Sequence, residues 1–364
     1  MTLTDDATSE QNISARPGAR RRVLAGAGIA AVAGVVAGWA PRAEAVTPAK
    51  MWRADYWATK QRGGTKISLA LYRKRLGAPV AGQAARPVLF VVHGSSSSAL
   101  PSFDLTVPGQ PDYSLMDAFA RLGFDVWTMD HEGYGRSART DGNSDIASGA
   151  EDLAAAWEVV RRETGATKFH YMGESSGALR AGAFAVAHPD RVDRLVLAAF
   201  TYTGKGSPTL AKRAEQAEYY RTHNRRPRDA AMLRSIFTRD RPGTTDPAVA
   251  DAFVAAEMPF GDSVPSGSYF DMTTRLPVVD PAAVHSPVLL IKGEYDGISS
   301  TDDLLNFFRL LPTGDKQFII LPGAAHSMIL GTQRRAFWHA ADAFLTLPQA
   351  GEGADAPQNP AHRK

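Results

Sequence analysis

Cysteine is absent from all 364 residues. That excludes disulfides, thiolate-held zinc, iron–sulfur clusters and a thiol nucleophile. Neither sign of charge dominates: 41 basic residues against 38 acidic ones leave +3. That is too balanced for a nucleic-acid binder, which usually shows a clustered basic face, so no such partner is expected. Past residue 45 no apolar run approaches the ~20 residues of a membrane span. No group of His, Asp and Glu has zinc or calcium spacing, and neither a metal nor an organic cofactor is implied. What is present is an ordinary globular composition, 44% hydrophobic and 22% charged, long enough for a large α/β core.

Residues 1–45 read as an address and not as fold. A polar stretch ends in Arg20-Arg21-Arg22, an apolar Gly/Ala-rich run follows from Val23 to Trp39, and Ala43-Glu44-Ala45 has the small-x-small pattern of a cleavage site. This is the order of regions in a secretory signal. Arg20 and Arg21, followed by one residue and two apolar ones, resemble the twin-arginine type, which implies a bacterial export machinery as partner and a periplasmic or extracellular destination. The apolar run would reach about 26 Å as a helix, short of a ~30 Å hydrocarbon core. Cleavage after Ala45 is therefore expected, leaving a chain with no stable membrane insertion and with 36 basic against 34 acidic residues.

Beyond the signal, strand and helix patterns alternate. Lys66–Tyr72 alternates with period two, as an outer strand does. Val88–Val92 is a short continuous apolar run, as a strand buried on both faces requires. Further strands are expected over Phe124–Met129, Lys168–Met172, Arg194–Ala199, Val288–Lys292 and Gln317–Leu321. Helices are expected around Leu115–Leu122 and over Ile146–Thr164, Ser176–His188, Asp302–Leu311 and Arg334–Leu347. The alternation predicts a mostly parallel sheet covered by helices on both faces. Thr201 to Pro281 breaks it, with helical pieces (Leu210–Thr222, Asp229–Phe237, Pro247–Glu257) and no buried strand. The expected organisation is a core of residues 46–200 and 284–348, a helical cap inserted at 201–283, and a disordered tail at 349–364.

The chemistry is concentrated in Gly173-Glu174-Ser175-Ser176-Gly177, between a strand and a helix. Glycines on both sides permit a strained turn that lifts Ser175 to the sheet edge, with a helix N-terminus behind it. A serine hydroxyl needs a base, and the base an orienting acid. Asp296 stands just past one buried strand, with Glu294 the nearest rival acid, and His326 just past the next. His170 falls inside a strand, His188 ends a helix and His362 lies in the tail. For an oxyanion hole the backbone N–H of Ser176 is one donor. The loop His93-Gly94-Ser95-Ser96-Ser97-Ser98 would give the other, at Ser95, with His93 orienting the loop.

Together the His93-Gly94 loop, the elbow at 173–177, the Asp296 and His326 loops and the turn Asp130-His131-Glu132-Gly133-Tyr134-Gly135-Arg136-Ser137 resemble the α/β-hydrolase family over about residues 50–348. The resemblance implies an eight-stranded, mostly parallel sheet, a cap that roofs the pocket, and the Ser…Asp…His order of that fold. It also implies a serine hydrolase acting on a small carboxylic ester, with Ser175, Asp296 and His326 catalytic, and the N-terminal signal makes it an exported one. A histidine base would make activity rise through about pH 6 to 8. Aminopeptidase, lactonase and carbon–carbon hydrolase activities share the constellation, since a fold does not choose a substrate; a non-catalytic ligand-binding relative would normally have lost a triad member. An aminopeptidase would need cap carboxylates for the substrate ammonium. Glu215, Glu218 and Glu257 are the candidates, each also readable as a solvated helix residue. Phe260, Tyr269, Phe270, Met272 and Met328 are candidates for the pocket wall, and core packing explains them equally well.

Overall fold

The computed structural model describes residues 50–348; the expected signal (1–45) and tail (349–364) lie outside them. A long hairpin opens the fold, β1 (Met51–Arg62) and β2 (Thr65–Leu76). Its turn is Gly63-Gly64, with φ of +54° and +82°, the geometry that side-chain-bearing residues disfavour in a two-residue hairpin loop. Then follow β3 (Val88–Val92), α1 (Ala99–Phe103), α2 (Leu115–Arg121), β4 (Asp125–Met129), α3 (Ile146–Thr164), β5 (Phe169–Glu174), α4 (Ser176–Ala187) and β6 (Val192–Ala198). Among the described residues, eight strands form one sheet in the order β1-β2-β4-β3-β5-β6, continued by β9 (Val288–Gly293) and β10 (Lys316–Leu321). From β4 to β10 all neighbours are parallel, and only β2 is reversed, pairing antiparallel with β1 on one side and β4 on the other.

The period of two sorts the core into two layers. Phe90 and Val92 of β3 pack on one face with Leu153 of α3, Leu179 of α4 and Leu304 of α10 (Thr301–Leu310). Leu89 and Val91 pack on the other with Phe119 of α2 and Phe337 of α11 (Arg334–Leu345). The chain starts this parallel region at β3, moves outward to β4, then crosses to β5 on the other side. That reversal places a crevice at the carboxyl ends of β3 and β5, where ligands bind in sheets of this kind.

Between β6 and β9 the chain leaves the sheet. It runs through α5 (Pro208–Ala214), α6 (Ala217–Thr222), β7 (Arg225–Pro227), α7 (Ala230–Ser235), α8 (Pro247–Glu257), β8 (Ser263–Pro265) and α9 (Gly267–Thr274). Two expectations change here. The segment contains a small antiparallel pair, β7 with β8, three residues each and too short to show a periodicity. The single helix expected over Leu210–Thr222 is two, broken around Glu215 and Gln216. The first strand was also missed. Its inward face (Trp52, Ala54, Tyr56, Ala58, Lys60) alternates with Arg53, Asp55, Trp57 and Thr59, which are exposed. With charge on both faces, the pattern lacks the apolar contrast of a buried strand.

Candidate active site

β5 delivers Ser175 to the crevice. Its φ of +59° and ψ of −125° lie outside the regions a side chain with a Cβ favours. Three contacts hold it there. The Ser175 N–H donates to the Ala198 carbonyl at the end of β6, at 2.9 Å. A Cβ on Gly173 would stand 2.5 Å from the Ala178 nitrogen, and one on Gly177 would collide with the carbonyl oxygens of Val92 and His93. Only glycine lets α4 start this close to the sheet, and its N-terminus then faces the crevice with unpaired N–H groups.

The loop after β3 faces Ser175 from the side. His93 is fully buried and works for the loop: its Nε2 accepts the His131 N–H at 3.1 Å, and its Nδ1 bonds the Gly94 carbonyl at 2.8 Å. Burial, with the charges around His131 and Arg180, pushes its imidazole well below the ordinary value and keeps it neutral. The Ser95 hydroxyl donates to Ser176 Oγ at 2.6 Å and accepts from Ser268 of α9 at 2.9 Å, while Tyr134 donates to the Ser95 carbonyl at 3.0 Å. Among the described residues, neither the Ser95 nor the Ser176 backbone N–H has a protein acceptor. The two residues expected at an oxyanion hole are thus adjacent, and both N–H groups are uncommitted.

Asp296 and His326 arrive from the loops after β9 and β10. His326 Nδ1 donates to Asp296 Oδ1 at 2.9 Å, and the Ile298 N–H reaches the same oxygen at 2.9 Å. Burial works to raise the Asp296 carboxyl, but His326, the Ile298 N–H and Lys292 together carry it below the ordinary aspartate value. Glu294, the rival acid, is exposed and accepts the Gly323 N–H at 2.8 Å, closing the turn before the histidine loop. Ser175, His326 and Ser95 line one cavity of about 50 Å³. Within it no hydrogen bond joins Ser175 Oγ to His326; in unliganded sites such bonds are often long and tighten around substrate. Among the described residues, no group of three His, Asp or Glu is placed to hold a metal ion.

The family model described as serine aminopeptidase, S33, matches residues 109–333, more than half of the chain. The chain belongs to this family of α/β hydrolases. Over 121 residues the S33 hydrolase is 31% identical to the 2-hydroxy-6-oxononadienedioate/2-hydroxy-6-oxononatrienedioate hydrolase of Paraburkholderia phymatum. That match covers 31% of this chain and 36% of the relative, so the chain spans about a third of that protein's length. A solved hydrolase from Pseudomonas aeruginosa PA01 superposes with a TM-score of 0.59 at 20% identity, over 80% of this chain and 98% of that one. A thermophilic esterase from Thermogutta terrifontis gives 0.56 at 20% identity, over 80% and 98%. At such identities the likeness is one of fold.

Several expected roles fall elsewhere. Glu257 is no solvated helix residue. It is fully buried, paired with Arg228, and accepts the N–H and hydroxyl of Ser98 at 2.9 and 2.6 Å. Glu218 is exposed and bound to Arg221, and Glu215 is exposed; none of the three lines the cavity. Met328 is packed in the core, Phe260 and Phe270 line neither the Ser175 cavity nor the larger one beside it, and Met272 lines a separate shallow groove. Tyr269 alone of the five lines the larger cavity. Among the lining residues that the sequence does not single out are three ionisable ones, Glu174, Arg213 and Arg239. Glu174 was legible as the variable position of the elbow, but its surroundings were not. The two arginines look like any cations in a polar insertion, and no sequence signal marks them.

Proposed function

We propose that this S33 hydrolase is an exported serine hydrolase that cleaves a carboxylic ester. His326 takes the Ser175 proton as the hydroxyl attacks the ester carbonyl, and the Ser95 and Ser176 N–H groups hold the oxyanion. Asp296 holds the imidazole in the tautomer with its free nitrogen toward Ser175 and stabilises the imidazolium. His326 then protonates the leaving alcohol, and activates the water that releases the acid. The observation that carries this reading is the Ser175 elbow at φ +59° sharing a cavity with the His326 that Asp296 holds. An aminopeptidase is disfavoured, because the cavity that adjoins the site presents Lys212, Arg213, Arg226 and Arg239 against the single carboxylate of Asp240, a poor receptor for a substrate ammonium. Hydrolysis of a carbon–carbon bond is the second reading. It rests on the Paraburkholderia relative, whose named substrate contains no ester and so can be hydrolysed only at carbon.

The test is hydrolysis of p-nitrophenyl esters from acetate to a long acyl chain. Wild type is expected to turn over, Ser175→Ala to lose about four to six orders of magnitude in kcat, and Asp296→Asn about four. Equal turnover by wild type and Ser175→Ala would show the assignment to be wrong. Export through residues 1–45 is part of the same proposal. The exported protein should begin at Val46 by mass spectrometry, and replacing both Arg20 and Arg21 by Lys should keep it in the cytoplasm. Export of that variant at the wild-type level would remove the twin-arginine reading.

A further inference from the structure

A cavity of about 50 Å³ over Ser175 accommodates a scissile carbonyl and little else. Any larger substrate must extend beyond it, and the way out is marked by Ser96, Arg213 and Arg239, which also line a neighbouring cavity of about 640 Å³. That volume is of the size that holds a small organic molecule. Its charge is one-sided. Lys212, Arg213, Arg226 and Arg239 face it, against a single carboxylate, Asp240, which lies 3.6 Å from Arg239.

Arg213 comes from α5, Arg226 from β7 and Arg239 from the turn after α7, so three separate pieces of chain converge. Among the described residues, neither Arg213 nor Arg226 has an acidic partner. Both lie instead against one ring: their guanidinium carbons are 5.1 and 4.5 Å from the centre of Tyr269. The Tyr269 hydroxyl bonds Ser96 Oγ at 2.6 Å, one residue from the expected oxyanion donor. The field of these cations registers on the groups nearby. Burial, with the like charges of Arg239 and Arg226, brings Arg213 down to about 10. Burial alone would raise Tyr269, yet Arg226 and Arg213 hold it below the ordinary phenol value. Gathering half-buried guanidinium groups around one carboxylate costs the fold stability, and the Tyr269 ring offsets only part of it. A bound anion would supply the missing counter-charge.

We infer that the substrate carries a carboxylate, on its acyl or its alcohol part, which docks among Arg213, Arg226 and Arg239 while the ester lies against Ser175. Arginine forks bind carboxylates in two-point fashion, which gives orientation as well as affinity. The inference rests on the ester-hydrolase reading and names its substrate class. It also explains why an ammonium-bearing peptide terminus would be rejected.

Four esters test it, as two matched pairs. p-Nitrophenyl hydrogen adipate is compared with its neutral methyl ester for the acyl side, and 6-acetoxyhexanoate with methyl 6-acetoxyhexanoate for the alcohol side. In one pair the charged member should be favoured about 10- to 100-fold in kcat/KM, the yield of one or two charge-assisted hydrogen bonds. The preference should sit mainly in KM, shrink with added salt, and fall to about one in Arg213→Gln/Arg226→Gln. Neutral esters turned over by wild type with no charged preference in either pair would overturn the inference and leave the hydrolase reading standing. Ser175 is also probed with a neutral fluorophosphonate, and a failure to label it would overturn the hydrolase reading, and this one with it. If Ser175 is labelled but no ester turns over, protection by adipate decides: saturable protection lost in the double variant supports the inference, and no protection overturns it.

Discussion

Placed one residue before the nucleophile, Glu174 has its carboxyl pushed up to about 8, first by burial and then by the nearby Asp296, against the pull of Arg239. The unfolded chain releases that proton near the ordinary 4.5. Between the two values the folded protein keeps a proton that the unfolded chain has lost. The contribution is therefore fully present below about 4.5, and stability falls as pH rises toward about 8. Thermal midpoints measured from pH 5 to 9 should decline more steeply in wild type than in Glu174→Gln. Catalysis should feel the same ionisation: a second negative charge beside the oxyanion opposes acyl transfer, so activity should turn down above about pH 8 in wild type and not in Glu174→Gln. An identical alkaline limb in both proteins would separate Glu174 from the pH profile. None of this is readable from composition, because the shift depends on burial and on Asp296, both of which only the fold brings to Glu174.

Among elements, α8 and the loop after β3 form a latch. Glu257, at the last turn of α8, takes both the N–H and the hydroxyl of Ser98, while Arg228, just past β7, donates to the Ser96 carbonyl at 3.0 Å and to Glu257. The segment between β6 and β9 thereby fixes the loop that carries the Ser95 N–H. Glu257→Ala leaves a buried guanidinium unpaired and should cost about 3–5 kcal/mol, read from denaturant midpoints. It should also lower kcat on p-nitrophenyl acetate more than it raises KM, since the oxyanion donor is loosened. A normal kcat in a folded Glu257→Ala protein would mean the latch is structural only. Gly177→Ala tests the other support of the elbow. Its added methyl meets the backbone of Val92 and His93, and the expected cost is about 1–3 kcal/mol with activity lost in step.

For the molecule as a whole, the sequence was most legible where each element carries its own signal. The buried strands β3 and β9, the helices α3 and α8 and the Gly-x-Ser-x-Gly turn are local patterns, and they lie where their apolar periods place them. Ser175, Asp296 and His326 were legible because each sits at the end of a strand, and the parallel order brings strand ends together. The hairpin strand β1 was not, because it alternates polar with half-buried residues at the sheet edge. The β7–β8 pair and the cationic cavity were not either. Both arise from contacts between distant pieces of a polar insertion, whose burial no single stretch announces.

The sheet order has one more consequence, in time instead of space. β9 docks against β6 only after the chain has passed through the whole segment between them, and β10 can add only to β9. Asp296 and His326 sit on the loops that follow those last two strands, while Ser175 follows β5 in the middle of the sheet. Such non-local pairing is slow, because long loops must close before their contacts repay them. A chain interrupted before residue 288 holds a nucleophile with neither base nor acid. Recovery of activity after dilution from denaturant should therefore lag the return of helical signal, making turnover a clock for the final pairing of the sheet.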